Sequence, residues 1–185
     1  LLYFSLIGTG FMMVQIPYMQ RFSVYLGHPT YSIAIILFSM ILFTGAGSFV
    51  SDRAAMERSA AWLALVPLGA ASMILLVTLG IQPIIDSTIR LPFAARSAVV
   101  VALTGAVSFL LGFCFPFGMR LVRPLSEGAM PWMWGVNGAC SVLASVLAVA
   151  ISLWSGIHTS LWLAAFCYAA LPLPAGLLWR AGRVR

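Results

Sequence analysis

The sequence predicts an all-α integral membrane protein, a single bundle of six transmembrane helices. Three observations predict it. Six uncharged runs have spanning length, 62% of the 185 residues are hydrophobic against 8% charged, and mean hydropathy is +1.05. Soluble domains carry roughly 45–50% apolar and 25% charged residues. Ten arginines, no lysine and four acidic residues cannot supply a polar exterior for a chain of this length, so the bilayer must cover it.

The runs are Leu1 to Met19, Tyr31 to Val50, Trp62 to Ile81, Ala98 to Phe117, Trp134 to Trp154 and Ser160 to Trp179. Each is close to the roughly 20 residues that a hydrocarbon core of about 30 Å requires of a helix. A transmembrane barrel would instead show alternating segments of about ten residues. Helices also satisfy their own backbone groups in lipid. One membrane domain, 1–185, follows.

The first run carries no basic leader and no small-residue cleavage site, so it is read as a span and not as a signal peptide. The opening on Leu1 predicts a piece of a longer chain. The run closes on Gln15, Pro17, Gln20 and Arg21. Polar groups in hydrocarbon need partners, and Pro17 frees a carbonyl one turn back. Two readings stand: a broken helix lining a cavity, or Arg21 reaching the outer interface while Gln15 bonds a neighbouring helix.

Gly27 to Tyr31 reads as a turn, with Thr30 as N-cap of the second helix. His28 in that outer turn is either solvated or a proton-responsive group. After the second run come Gly45, Gly47, Asp52, Arg53, Glu57 and Arg58, a solvated loop with local ion pairs or a partial form of a transporter loop signature. The stretch Gln82 to Ser97, with Pro83, Asp86, Arg90, Pro92 and Arg96, is expected to lie across the outer surface as a short amphipathic link.

On the fourth run Gly105, Ser108 and Gly112 form a small-residue face, and Pro116 with Gly118 predicts an end or a kink. The fifth run carries a longer seam, Gly138, Ser141, Ser145, Ala148 and Ser152, spaced by three and four on one helix face. Small residues let helices approach closely in lipid, so the seam is expected against a neighbouring helix or, alternatively, along a substrate path. Asn137 beside it is a plausible interhelical donor. Tryptophans 132, 134, 154, 162 and 179 fall near run ends, at headgroup level.

Arg53, Arg58, Arg120, Arg123, Arg180, Arg183 and Arg185 lie in gaps on one side, and Arg21, Arg90 and Arg96 on the other. The positive-inside rule therefore puts both ends in the cytoplasm. The arginines sit between apolar runs instead of forming one solvated face, which argues against nucleic acid as a partner. Cys114, Cys140 and Cys167 lie inside apolar runs without metal-ligand spacing and read as small hydrophobes. No phosphate loop, nucleophile-base-acid trio or helical metal pair is visible, so neither metal, cofactor nor catalytic residue is expected on this chain.

The Gly-x-x-x-x-Asp-Arg spacing at Gly47, Asp52 and Arg53 is similar to the major-facilitator loop signature, with one extra residue before Asp52 and the later Gly missing. That similarity implies a major-facilitator-like half. Gly10-Phe-Met-Met-Val-Gln-Ile-Pro17, Gln20-Arg-Phe22, Leu26-Gly-His-Pro-Thr-Tyr31, Trp134-Gly-Val-Asn-Gly138 and Ser141-Val-Leu143 carry a second likeness. They resemble the C-terminal membrane region of bacterial spermidine-synthase-like proteins, which are fused transporter and spermidine synthase chains.

In that family the membrane block accompanies a soluble aminopropyltransferase-like domain. The resemblance implies a multi-pass inner-membrane protein whose catalysis, if any, lies outside this sequence. The family commonly has Glu where this chain has Gln15, and Gln cannot carry a proton. Three roles remain open. A transporter-like block would gather Gln15, Gln20, Arg21 and Asn137 round one cavity. An accessory subunit of a larger membrane complex would expose the seam to partner helices or subunits. A membrane anchor for a soluble enzyme would tolerate alanine at those polar positions.

Overall fold

The computed structural model describes residues 1–53, 61–125 and 127–183, and every regular element among them is helical. The helices are α1 (Leu2–Leu26), α2 (Pro29–Arg53), α3 (Trp62–Thr88), α4 (Phe93–Val122), α5 (Met130–Ser155), α6 (Ile157–Ala170) and α7 (Pro172–Arg183), with a 3-10 turn at Glu127–Ala129 before α5. The first five helices and the combined stretch Ile157–Gly182 make six segments long and apolar enough to cross a membrane. Glu57, Arg58 and Arg185 lie outside the described residues.

The helices outrun the apolar runs that announce them. α1 continues through Pro17 to Leu26 instead of breaking near Met19, and α4 continues through Pro116 and Gly118 to Val122. A proline removes one backbone donor, and the packed neighbours of both helices hold the chain in register across that gap. Tyr18, Phe22 and Phe117 beside these prolines are fully buried.

The expected outer link from Gln82 to Ser97 is corrected most. α3 runs on to Thr88 and α4 starts at Phe93, leaving four residues between them. Polar side chains leave the hydrocarbon while the backbone stays helical. Gln82 Nε2 donates to Asp86 Oδ1 at 2.8 Å, one turn along, and Thr88 bonds Tyr25 of α1, hydroxyl to hydroxyl, at 2.7 Å.

Thr30 is not the N-cap of α2. The helix starts at Pro29, whose missing N–H costs nothing in a first turn. The Ser32 hydroxyl donates to Phe22 O at 3.0 Å and ties α2 to α1. Gly27 ends α1 in the left-handed region at φ 79°, with its N–H on Ser23 O. A Cβ there would touch nothing within 4 Å, so Gly27→Ala tests the backbone alone. A loss of about 1 kcal/mol is expected, read as a lowered midpoint in a thermal melt of the detergent-solubilised chain.

Pro172 divides the last span. Leu171 N–H bonds Tyr168 O at 3.2 Å, a tightened turn that closes α6 before α7 begins. Between α5 and α6 the joint is the single residue Gly156, at φ 88° and ψ 155°, a conformation essentially reserved for glycine. Ser152 and Ser160 hydrogen-bond across that joint at 3.1 Å.

α1 is the central helix and packs on α2, α4, α5 and α6. α2 lies along α4, α3 packs on α4 and α6, and α5 rests on α1 and α6 while touching α4 only lightly. The α2–α4 contact uses the small-residue face of α4. A Cβ at Gly112 would overlap the Thr44 carbonyl oxygen, one at Gly47 the Phe109 carbonyl oxygen, and one at Gly105 would come within 2.8 Å of the Phe43 ring. The outward faces of α2 and α5 are the least covered, with Phe38, Ile41, Val142, Val146 and Leu153 exposed.

Candidate functional site

One recess in the bundle is walled by side chains of five helices. Ile7, Gly8 and Phe11 of α1, Thr44, Gly45 and Ser48 of α2, Leu111, Gly112, Phe115 and Pro116 of α4, Trp134, Asn137 and Ser141 of α5 and Tyr168 of α6 surround a cavity of about 310 Å³. That volume is at the low end of small-molecule sites.

The glycines make room for it. At Gly8 a Cβ would overlap the Asn137 carbonyl oxygen and come within 2.9 Å of Ser141 Oγ, so α1 and α5 meet backbone to backbone at the cavity edge. Asn137 Nδ2 donates to Phe4 O at 3.1 Å, the interhelical bond expected of it. Ser141 Oγ donates to its own helix at Asn137 O, 2.8 Å away. Across the cavity the Thr44 hydroxyl lies 3.4 Å from Ser108 O.

Tyr168 closes the inner wall, and its hydroxyl is buried without a partner. An unpaired buried hydroxyl is costly in a low-dielectric interior. Tyr3 contrasts with it, since its hydroxyl donates to Cys114 O at 2.8 Å. The Trp134 ring lies 4.4 Å from that of Phe115, tilted, at the rim.

Of the four residues expected to share a cavity, only Asn137 lines this one. Gln20 and Arg21 border a separate recess with Tyr25, Gln82 and Ile157, and Gln15 borders neither. Asn137 meets α1 at Phe4, and the 16 residues from there to Gln20 span about 24 Å of helix. Arg21 bonds the Gln82 side-chain oxygen, and Gln82 in turn holds Asp86. This is an interfacial network at the end of the bundle, with Arg96 donating to Tyr25 O at 2.6 Å nearby.

At the opposite end Arg120 pairs with Asp52 at 2.6 Å and donates to Ser51 Oγ at 2.7 Å. Asp52 and Arg120 each follow a cavity residue, Ser48 and Pro116, by one helical turn. Arg53 lies over the Phe49 ring at 3.6 Å. Asp52 is thus bridged across helices, unlike the local pairing expected of this loop. His28 is exposed in the turn between α1 and α2, edge-on to Tyr31 at 5.7 Å.

The α5 seam is internal for most of its length. Ala148 and Ser152 are buried, Ser141 and Ser145 half-buried, while Gly138 is exposed and faces open space. Cys114 and Cys167 are buried and Cys140 half-buried. No group of metal-ligating side chains occurs among the described residues.

The sequence reading missed Thr44, Ser48 and Tyr168. A signal for two of them was available, because Thr44 and Ser48 are spaced four apart and share a face of α2. Comparison with protein-family models, with curated proteins and with solved structures finds no match to this chain. Fold and site together define a helical bundle with six segments long and apolar enough to cross a membrane and a small cavity walled by α1, α2, α4, α5 and α6.

Proposed function

We propose that the chain is the transporter-like membrane block of a spermidine-synthase-like protein in the bacterial inner membrane, binding a small solute in the α1–α2–α4–α5 cavity. The observation that carries this reading is the cavity itself. It gathers Asn137, Ser141, Thr44 and Ser48 among apolar side chains, with Tyr168 in its wall. Polar groups at that depth are expensive unless they find a partner.

Both chain termini are cytoplasmic in this reading. Asp52 and Arg120 gather at one end, where a Cβ at Gly182 would lie 3.8 Å from Pro124, and the arginine-rich gaps belong to that end. Release toward the cytoplasm then passes the Asp52–Arg120 pair, which lies one turn below the cavity.

The accessory-subunit reading depended on an exposed seam, and most of the seam is covered by this chain's own α1 and α6. The bare apolar faces of α2 and α5 still favour partner helices or lipid there. The two readings separate in a cysteine-less background carrying Ser48→Cys. Transport requires a membrane-impermeant maleimide to reach Cys at 48 from the cytoplasmic face and, in a smaller fraction, from the outer face. Asp52→Asn is expected to raise the cytoplasmic fraction. Protection from both faces would eliminate transport through this cavity.

A further inference from the structure

α2 and α4 begin side by side, with the rings of Tyr31 and Phe93 edge-on at 5.7 Å. Their first turns and the end of α1 enclose an open recess of about 560 Å³, bordered by Leu26, Gly27, His28, Tyr31, Phe93 and Arg96. It lies at the far end of α2 from Asp52 and shares no residue with the α1–α2–α4–α5 cavity.

The charge of this recess is one-sided. Arg96 is half-buried, its Nη1 donates to Tyr25 O at 2.6 Å, and its guanidinium lies 5.9 Å from the Tyr25 ring. These contacts orient the cation without neutralising it. Nε is buried without an acceptor, and no carboxylate pairs with Arg96 among the described residues. Other arginines differ: Arg120 has Asp52, and Arg21 reaches Asp86 through Gln82. Neither α2 nor α4 carries an acidic residue in its first turn, so the partial positive charges of two helix starts add to that of Arg96. A part-buried cation without a counter-ion is costly, and an anion that enters the recess offsets the cost through charge-assisted hydrogen bonds.

The surroundings select a lipid as the source of that anion. α2 has 25 residues, about 37 Å of helix, against a hydrocarbon core of about 30 Å, so its first turn stands at headgroup depth. From the recess an exposed stripe of Tyr31, Ala34, Phe38 and Ile41, spaced by three and four, runs along one face of α2. A headgroup seated at Arg96 would leave its acyl chains against that stripe.

We infer that the recess holds the phosphate headgroup of an anionic phospholipid on Arg96, with the acyl chains along the Tyr31 to Ile41 face of α2. The site is separate from the cavity and does not depend on transport through it.

The test mixes the full chain, purified in a neutral detergent, with phosphatidylglycerol or with phosphatidylcholine of the same acyl chains, and counts the lipid retained by native mass spectrometry over a titration. One phosphatidylglycerol per chain is expected to bind roughly fivefold tighter than phosphatidylcholine, the preference that one arginine at a lipid surface supplies. Arg96→Gln is expected to abolish the preference. Arg90→Gln, exposed in the link before α4 and outside the recess, is expected to keep it. Because Arg96 also holds Tyr25, His28→Glu gives an independent reading: it leaves the Arg96–Tyr25 bond in place, puts a carboxylate in the same recess, and is expected to abolish the preference as well.

Equal retention of the two lipids by the parent chain would overturn the inference. So would an Arg90→Gln effect as large as that of Arg96→Gln, which would mean diffuse surface charge, or an unchanged preference in His28→Glu. Displacement of phosphatidylglycerol by an equal concentration of glycerol phosphate, the headgroup without its chains, would assign the recess to a soluble anion and overturn the lipid.

Discussion

A leucine at position 112 is expected to part α2 from α4 and to cost about 3 kcal/mol or more, at the top of the range for overpacked interiors. The reason lies in what drives helices together in lipid. With no hydrophobic gain between apolar helices, association depends on close packing, and small residues provide it. Here the approach is so close that even a methyl group at Gly112 would overlap Thr44 O, and one at Gly47 would overlap Phe109 O.

Backbone oxygens cannot rotate away as a side chain can, so the helices must separate. Separation would also stretch the Arg120–Asp52 pair at 2.6 Å, although an exposed pair adds little by itself. SDS titration of the folded chain in mixed micelles should show an early loss of structure for Gly112→Leu and for Gly47→Leu. Gly45→Leu, two residues away on the same helix, should titrate like the parent. An unperturbed Gly112→Leu would mean that α2 and α4 do not cross through these glycines.

That contrast marks what was legible in the sequence. Spanning runs are legible because hydrocarbon imposes one demand on about 20 consecutive residues. The small-residue spacing of Gly105, Ser108 and Gly112 is legible for a related reason, since a close helix contact repeats every turn. Helix ends were less so. Gln82 and Asp86 read as the start of a loop because they are polar, yet beyond the hydrocarbon polarity does not end a helix, and Asp86 accepts from Gln82 along α3.

The candidate site was legible only in part. Asn137 was found because an amide in an apolar run needs a partner. Its grouping with Gln20 and Arg21 failed because a polar residue carries no label of depth. Those two sit at the far end of α1, bound up with Gln82. Tyr168 was missed for the opposite reason, since a tyrosine in a span resembles any aromatic until its hydroxyl is seen to lack a partner.

The second large effect is expected at Gly8, where α1 meets α5. Gly8→Val would set a branched side chain against the Asn137 carbonyl oxygen and Ser141 Oγ, with a cost of about 2–3 kcal/mol. The consequence should be local, because α5 is held by α1 and α6 and barely by α4. Its far end stays pinned by the Ser152–Ser160 bond beside the Gly156 joint, so α5 is expected to swing out at its Met130 end. The swing would break the Asn137–Phe4 bond and lift Trp134 from Phe115, enlarging the cavity into an open cleft. In a background where Trp134 is the sole tryptophan, its emission should shift while the helical circular-dichroism signal holds. Half-buried Cys140 on the same helix should label faster. If both probes stay at parent values while the protein melts as one unit, α5 is not the hinged wall of the cavity.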